Sequence, residues 1–77
     1  MPKLPRLSGQ QLIRLFEMFG FVQIRQKGSH IILKKKTAEG ETGTVVPNHK
    51  ELAEGTLKGI LKQANITIEE FLKKYNA

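Results

Sequence analysis

Residues 21–36 read FVQIRQKGSHIILKKK, and Lys27-Gly28 divides them into two runs rich in branched apolar residues. Phe21 to Gln26 and Ser29 to Lys36 predict two antiparallel strands joined by a two-residue turn at Lys27-Gly28. A glycine makes so tight a reversal cheap. The turn sets a register: Gln26 opposite Ser29, Arg25 opposite His30, Ile24 opposite Ile31, Gln23 opposite Ile32, and Val22 opposite Leu33. Val22, Ile24, Ile31 and Leu33 then share a face that packs on helices. Phe21, Gln23, Arg25, His30, Ile32 and Lys34 share the other, a mixed cationic face suited to a ligand.

Upstream, Ser8 with Gln11 forms a capping-box pattern. Leu12, Leu15, Phe16 and Phe19 follow at helical spacing, and Gly20 supplies a left-handed stop. Downstream, Thr37 to Gly43 holds two glycines and two glutamates and predicts a mobile turn before a short third strand, Thr44 to Val46, closed by Pro47. Leu57, Ile60, Leu61 and Ala64 mark a second helix that begins near Gly55 or Thr56, with Gly59 costing about 1 kcal/mol relative to alanine. A third helix starts at Thr67, capped with Glu70, and buries Ile68, Phe71, Leu72 and Tyr75. The resulting fold class is α+β: α-β-β-β-α with an additional C-terminal helix, a three-stranded antiparallel sheet with helices on one face. That is the layout of the double-stranded RNA-binding domain. With no repeat and no linker, residues 1–77 are expected to form one domain.

A chain of 77 residues buries only about 60–65% of the surface its unfolded form exposes, so a partner chain would help it. Thirteen Lys and Arg against seven acidic residues leave 13 − 7 = +6, which points to polyanionic partners. Every acidic residue is Glu, and His30 and His49 are the only histidines. Carboxylate-rich two-metal chemistry is therefore poorly provisioned, and no metal or other cofactor is expected. The absence of cysteine removes disulfides and thiolate metal sites and suits a reducing compartment, by default the cytoplasm. Met1 to Ser8 lacks a signal-type apolar stretch, and no run of about 18 apolar residues occurs, so secretion and membrane spanning are not expected.

His30 follows the turn glycine and lies on the face away from the core. If the substrate is RNA, the 2′-hydroxyl already sits beside the phosphate it attacks, and one acid or base with nearby cations suffices. An imidazole ordinarily titrates near pH 6.5, as such a role requires, and contributes roughly 10²–10⁴-fold. Arg25, Lys27 and Lys34 are candidates to stabilise the anionic transition state. Together with Lys36, Lys58 and Lys62 they describe a phosphate-tracking surface. Lys35, Lys73 and Lys74 add to it. Gly28 and Ser29 read as structural turn residues, since Ser29 points to the strand face opposite His30. His49, after Pro47-Asn48, reads as a turn histidine rather than a second proton carrier. Phe21 either stacks on an unpaired base or sits in the core, the core being favoured.

Gly20-Phe21-Val22, Arg25-Gln26-Lys27-Gly28-Ser29-His30, Val46-Pro47-Asn48-His49 and Gly55-Thr56-Leu57 through Ile60-Leu61-Lys62-Gln63-Ala64 together resemble the HicA toxin family, over roughly residues 3 to 75. That resemblance implies a double-stranded RNA-binding-like fold, a messenger-RNA-cleaving activity whose catalytic histidine matches His30, and a HicB-type antitoxin as partner. It leaves the roles of Arg25, Lys34 and His49 open. Two other readings fit the residues: an RNA-binding module without catalysis, in which His30 contacts a sugar or base, and a protein-docking domain using Ile32 and Phe21.

Overall fold

A computed structural model describes residues 3–77; Met1 and Pro2, part of the amino-terminal stretch read above, lie outside the described residues. Ser8 caps the first helix, α1 (Gly9–Met18), by accepting from the Gln11 N–H while the Gln11 side chain accepts from the Ser8 N–H. At the other end, the N–H groups of Gly20 and Phe21 donate to the carbonyls of Glu17 and Phe16. This is the paired ending in which a left-handed residue turns the chain out of a helix. It also lays the Phe21 ring on that of Phe16, centroids 5.2 Å apart. Phe21 is thereby committed to the core, as its apolar reading expects.

Three strands follow, β1 (Val22–Lys27), β2 (His30–Thr37) and β3 (Gly40–Pro47), in the antiparallel order β1-β2-β3. Two helices, α2 (Glu54–Gln63) and α3 (Ile68–Tyr75), complete the expected α-β-β-β-α order with its extra C-terminal helix. Ile31 and Leu33 of β2, with Thr44 and Val46 of β3, face Leu12, Phe16, Leu57, Leu61 and Phe71 in a single buried cluster. The helices lie on that side of the sheet. The other side is open.

The register departs from the expected one in two ways. The turn occupies Gly28 and Ser29 rather than Lys27 and Gly28, so Lys27, not Arg25, stands opposite His30, and Ser29 is a turn residue rather than the start of a strand. Gly28 has φ +60° while Ser29 keeps a negative φ, the combination in which glycine takes the first central position of a hairpin turn. The pairing then shifts between Gln23 and Arg25. Ile24 sits in this bulge, and the faces flip beyond it. Gln23 pairs with Leu33 and Val22 with Lys34, so Val22 and Ile24, expected in the core, are exposed. Gln23, expected on the open face, is on the helix side.

The stretch expected to be a mobile turn is mostly strand. β3 begins at Gly40, and the reversal is confined to Ala38 and Glu39. Its first half is held by pairing with Lys34, Lys35 and Lys36, a main-chain contribution that hydrophobicity does not report. Helix α2 starts at Glu54, one residue ahead of the earliest expected start, on an Ala53 cap that makes no side-chain hydrogen bond. Helix α3 opens on the expected Thr67–Glu70 capping box. Hydrogen bonds to Glu70 from the Thr67 N–H first and the Thr67 hydroxyl second hold that carboxyl below its ordinary range. Of the four residues expected to be buried by α3, Phe71 is, Ile68 and Leu72 are half-buried, and Tyr75 in the last turn is exposed while stacking on Phe71.

Candidate functional site

His30 opens β2 at the end of the sheet nearest the hairpin turn. Because Ile31 and Leu33 point into the core, strand alternation sends His30, Ile32, Lys34 and Lys36 to the side free of helices. The cross-strand pairs arrange this open face in rows. Lys27, His30 and Pro47 form the first, Arg25, Ile32 and Val45 the second, and Val22, Lys34 and Gly43 the third. His30 is exposed, as are Lys27, Arg25, Lys34 and Lys36. Arg25 therefore belongs to the face but stands one row, roughly 7 Å, along the strands from His30. Lys34 is engaged in part, its Nζ 3.4 Å from Glu41 Oε1.

Lys58 and Lys62 are exposed on α2, in the helical layer, and the fold does not bring them to the face that carries His30. Lys35 points to the helix side, half-buried, with Nζ 5.8 Å from the centre of the Phe21 ring. Lys74 lies similarly over Phe19. These two lysines cover aromatic surface, a use of the long side chain that charge counting does not anticipate.

A second set of contacts ties the His30 end of the sheet to α1. The Asn48 N–H donates to the Ser29 carbonyl at 2.7 Å, and the Gly9 N–H donates to the His49 carbonyl at 2.9 Å. Gln10 Nε2 donates to Asn48 Oδ1 at 3.0 Å. Just beyond, the Leu52 N–H donates to the Leu7 carbonyl at 2.7 Å. The hairpin turn, the Pro47-Asn48-His49 loop and the first turn of α1 thus form one hydrogen-bonded unit. Gly9 is necessary to it: a Cβ there would overlap the Pro47 carbonyl oxygen and come within 3.1 Å of Asn48 Cα. His49 enters through its main-chain oxygen, and its side chain is exposed. Sequence reading did not single out Gly9, Gln10 or Asn48 individually. The one available signal was a glycine directly after a serine cap, where helix propensity favours other residues.

On the far edge of the sheet, Gln63 Oε1 accepts from Thr44 Oγ1 at 2.9 Å and from the Val45 N–H at 3.3 Å. Thr44 is the one buried polar residue among the described residues, and its hydroxyl also lies 3.4 Å from the Ile60 carbonyl. This clamp fixes α2 against β3. Among the described residues no group of three or more His, Cys, Asp or Glu gathers where it could hold a metal ion.

Over residues 9–66 the chain matches the family described as the HicA toxin of bacterial toxin-antitoxin systems. It belongs to the HicA toxin family. The matched span holds α1, the whole sheet and α2, and with them both histidines; α3 lies outside it. Membership of HicA makes the chain one half of a toxin-antitoxin pair and implies an antitoxin as its partner. No curated protein matches the chain. No helix among the described residues is long and apolar enough to cross a membrane.

Proposed function

We propose that this HicA chain is an endoribonuclease that cleaves messenger RNA without a metal, using His30 as general acid or base, and that a HicB-type antitoxin neutralises it in the cytoplasm. The observation that carries the reading is the first row of the open face: an exposed imidazole with the Lys27 ammonium directly across the strand pair. In this reaction the RNA 2′-oxygen attacks the adjacent phosphorus as its proton leaves. The bond to the 5′-oxygen breaks, and that oxygen takes a proton. The products are a 2′,3′-cyclic phosphate and a 5′-hydroxyl end. His30 moves one of the two protons, while Lys27 and then Arg25 balance the charge that builds on the phosphoryl oxygens. Lys34 and Lys36 extend the cationic track along the same face. Lys58 and Lys62, on the helical layer, serve a phosphate only where the RNA passes around the edge of the sheet. Residues 1–77 act as one RNA-cleaving unit.

The test is single-stranded RNA incubated with the purified chain in EDTA, beside a folded His30→Ala variant. Cleavage by the parent alone, ending in cyclic phosphate, is the expected result. RNA left intact by both proteins while each still binds it would instead make the chain an RNA-binding module. DNA, which lacks the 2′-hydroxyl, should remain whole throughout.

A further inference from the structure

The two edges of the sheet are treated differently. On β3 the Val45 N–H is met by the Gln63 side chain, and α2 lies alongside. On β1 all six residues are exposed, and the strand's substantial contacts within the chain are with β2 alone. An edge strand offers a row of main-chain donors and acceptors to any extended chain that meets it. Arg25, Lys27 and the Ile24 bulge blunt this edge against indiscriminate pairing. Charge and twist alone, however, do not call for exposed branched aliphatic residues. Val22 is 61% and Ile24 53% exposed, and they line a shallow groove of about 330 Å³ with Lys34, Lys36 and Glu41.

We propose that the β1 edge is a docking site for an extended, acidic segment of the antitoxin, which adds to the sheet as a fourth strand. Main-chain pairing supplies affinity, and alternate side chains of the added strand supply specificity. Its apolar side chains settle on Val22 and Ile24, while its carboxylates meet Arg25, Lys27 and Lys36. A second copy of this chain fits poorly, because pairing β1 with itself sets cations against cations and no acidic residue of β1 offsets them. The groove lies toward Lys34, four residues or about 13 Å along β2 from His30, so the Val22 and Ile24 contacts are separable from the proposed cleavage site, whereas Arg25, Lys27 and Lys36 are shared with it. The inference rests on membership of a toxin-antitoxin family and not on the ribonuclease reading.

The experiment uses the full chain and its co-expressed antitoxin. Hydrogen exchange compares β1 amides in the free chain and in the complex, and antitoxin affinity is measured for the parent and for a Val22→Ser/Ile24→Ser double variant whose circular dichroism matches the parent. Slowed exchange at β1, with binding weakened by about thirtyfold or more from the two lost aliphatic contacts, is the expected result. RNA affinity should be unchanged in the same variant. Unaltered exchange at β1 in the complex, or parental antitoxin affinity in the folded variant, would overturn the proposal. So would slowed β1 exchange produced by RNA and not by the antitoxin.

Discussion

Gly9→Ala should destabilise this protein, although alanine is the better helix former. The alanine Cβ would overlap the Pro47 carbonyl oxygen, with the Pro47 carbonyl carbon and Asn48 Cα both at 3.1 Å. To restore ordinary contact, the loop or the helix start must retreat by about 1 Å. That movement strains the Gly9-to-His49 hydrogen bond, worth about 1 kcal/mol. Overpacking a close contact adds about 1–3 kcal/mol. The propensity gain of alanine over glycine returns at most about 1 kcal/mol, and less at the first position of a helix. The net loss is about 2 kcal/mol, which for a domain of this size lowers the melting temperature by roughly 8–16 °C. Gly59→Ala is the internal control: its Cβ would meet nothing within 4 Å, so it should raise stability by up to about 1 kcal/mol. Thermal unfolding followed by circular dichroism reads both. A Gly9→Ala protein as stable as the parent would refute the claim that α1 and the Pro47-Asn48-His49 loop are held at glycine distance.

Thr44→Val keeps the shape of a buried side chain but takes the hydroxyl donor from Gln63 Oε1; a urea midpoint corresponding to about 1–2 kcal/mol less stability is expected. His49→Ala leaves the main-chain oxygen that binds Gly9 in place, so RNA cleavage should persist in a gel assay, and a folded but inactive variant would make this imidazole a second proton carrier. Glu70 has its folded pKa lowered by the Thr67 hydrogen bonds, so its contribution to stability is full above the ordinary glutamate range and disappears as pH falls through the lowered value. Glu70→Gln, which retains a carbonyl acceptor for the Thr67 N–H, should therefore lose less stability than the parent between pH 5 and pH 3, and parallel melting curves across that interval would count against the assignment.

Helices α1 and α3 were legible because their starts are written in side chains. Ser8 with Gln11 and Thr67 with Glu70 close reciprocal caps, and Gly20 ends α1 at φ +97°. The open face was legible near the turn as well. Sliding the turn by one residue moves each partner by two, which preserves which side a residue faces, so Arg25 and His30 share a face in either frame. What changed was the neighbour: Lys27 replaced Arg25 across from His30. The sequence QKGS accommodates glycine at either central position of a two-residue turn, and the choice is made by which φ the hairpin requires. The Ile24 bulge left no local mark, since inserting one unpaired residue needs no special side chain. It sent Val22 and Ile24 to solvent, against their hydrophobicity. The strand from Gly40 to Gly43 was equally hidden, because its partner strand and not its own apolar content keeps it extended. The fold bore out the layer, the order and the face of the candidate histidine, while the contacts around it depended on residues far apart in the chain.

The bond from Gly9 to His49 joins positions forty residues apart, 49 − 9 = 40. Closing so long a loop is costly in chain entropy and is repaid only once the sheet between the two ends exists. The hairpin bearing His30 can pair locally and early, but the loop that braces its turn cannot engage α1 until residue 49 has been synthesised and β3 has docked. A growing chain therefore carries its histidine for some time on an unbraced hairpin. The brace between α1 and the Pro47-Asn48-His49 loop thus forms after the hairpin, which leaves an interval of synthesis in which His30 sits on a turn that α1 does not yet hold.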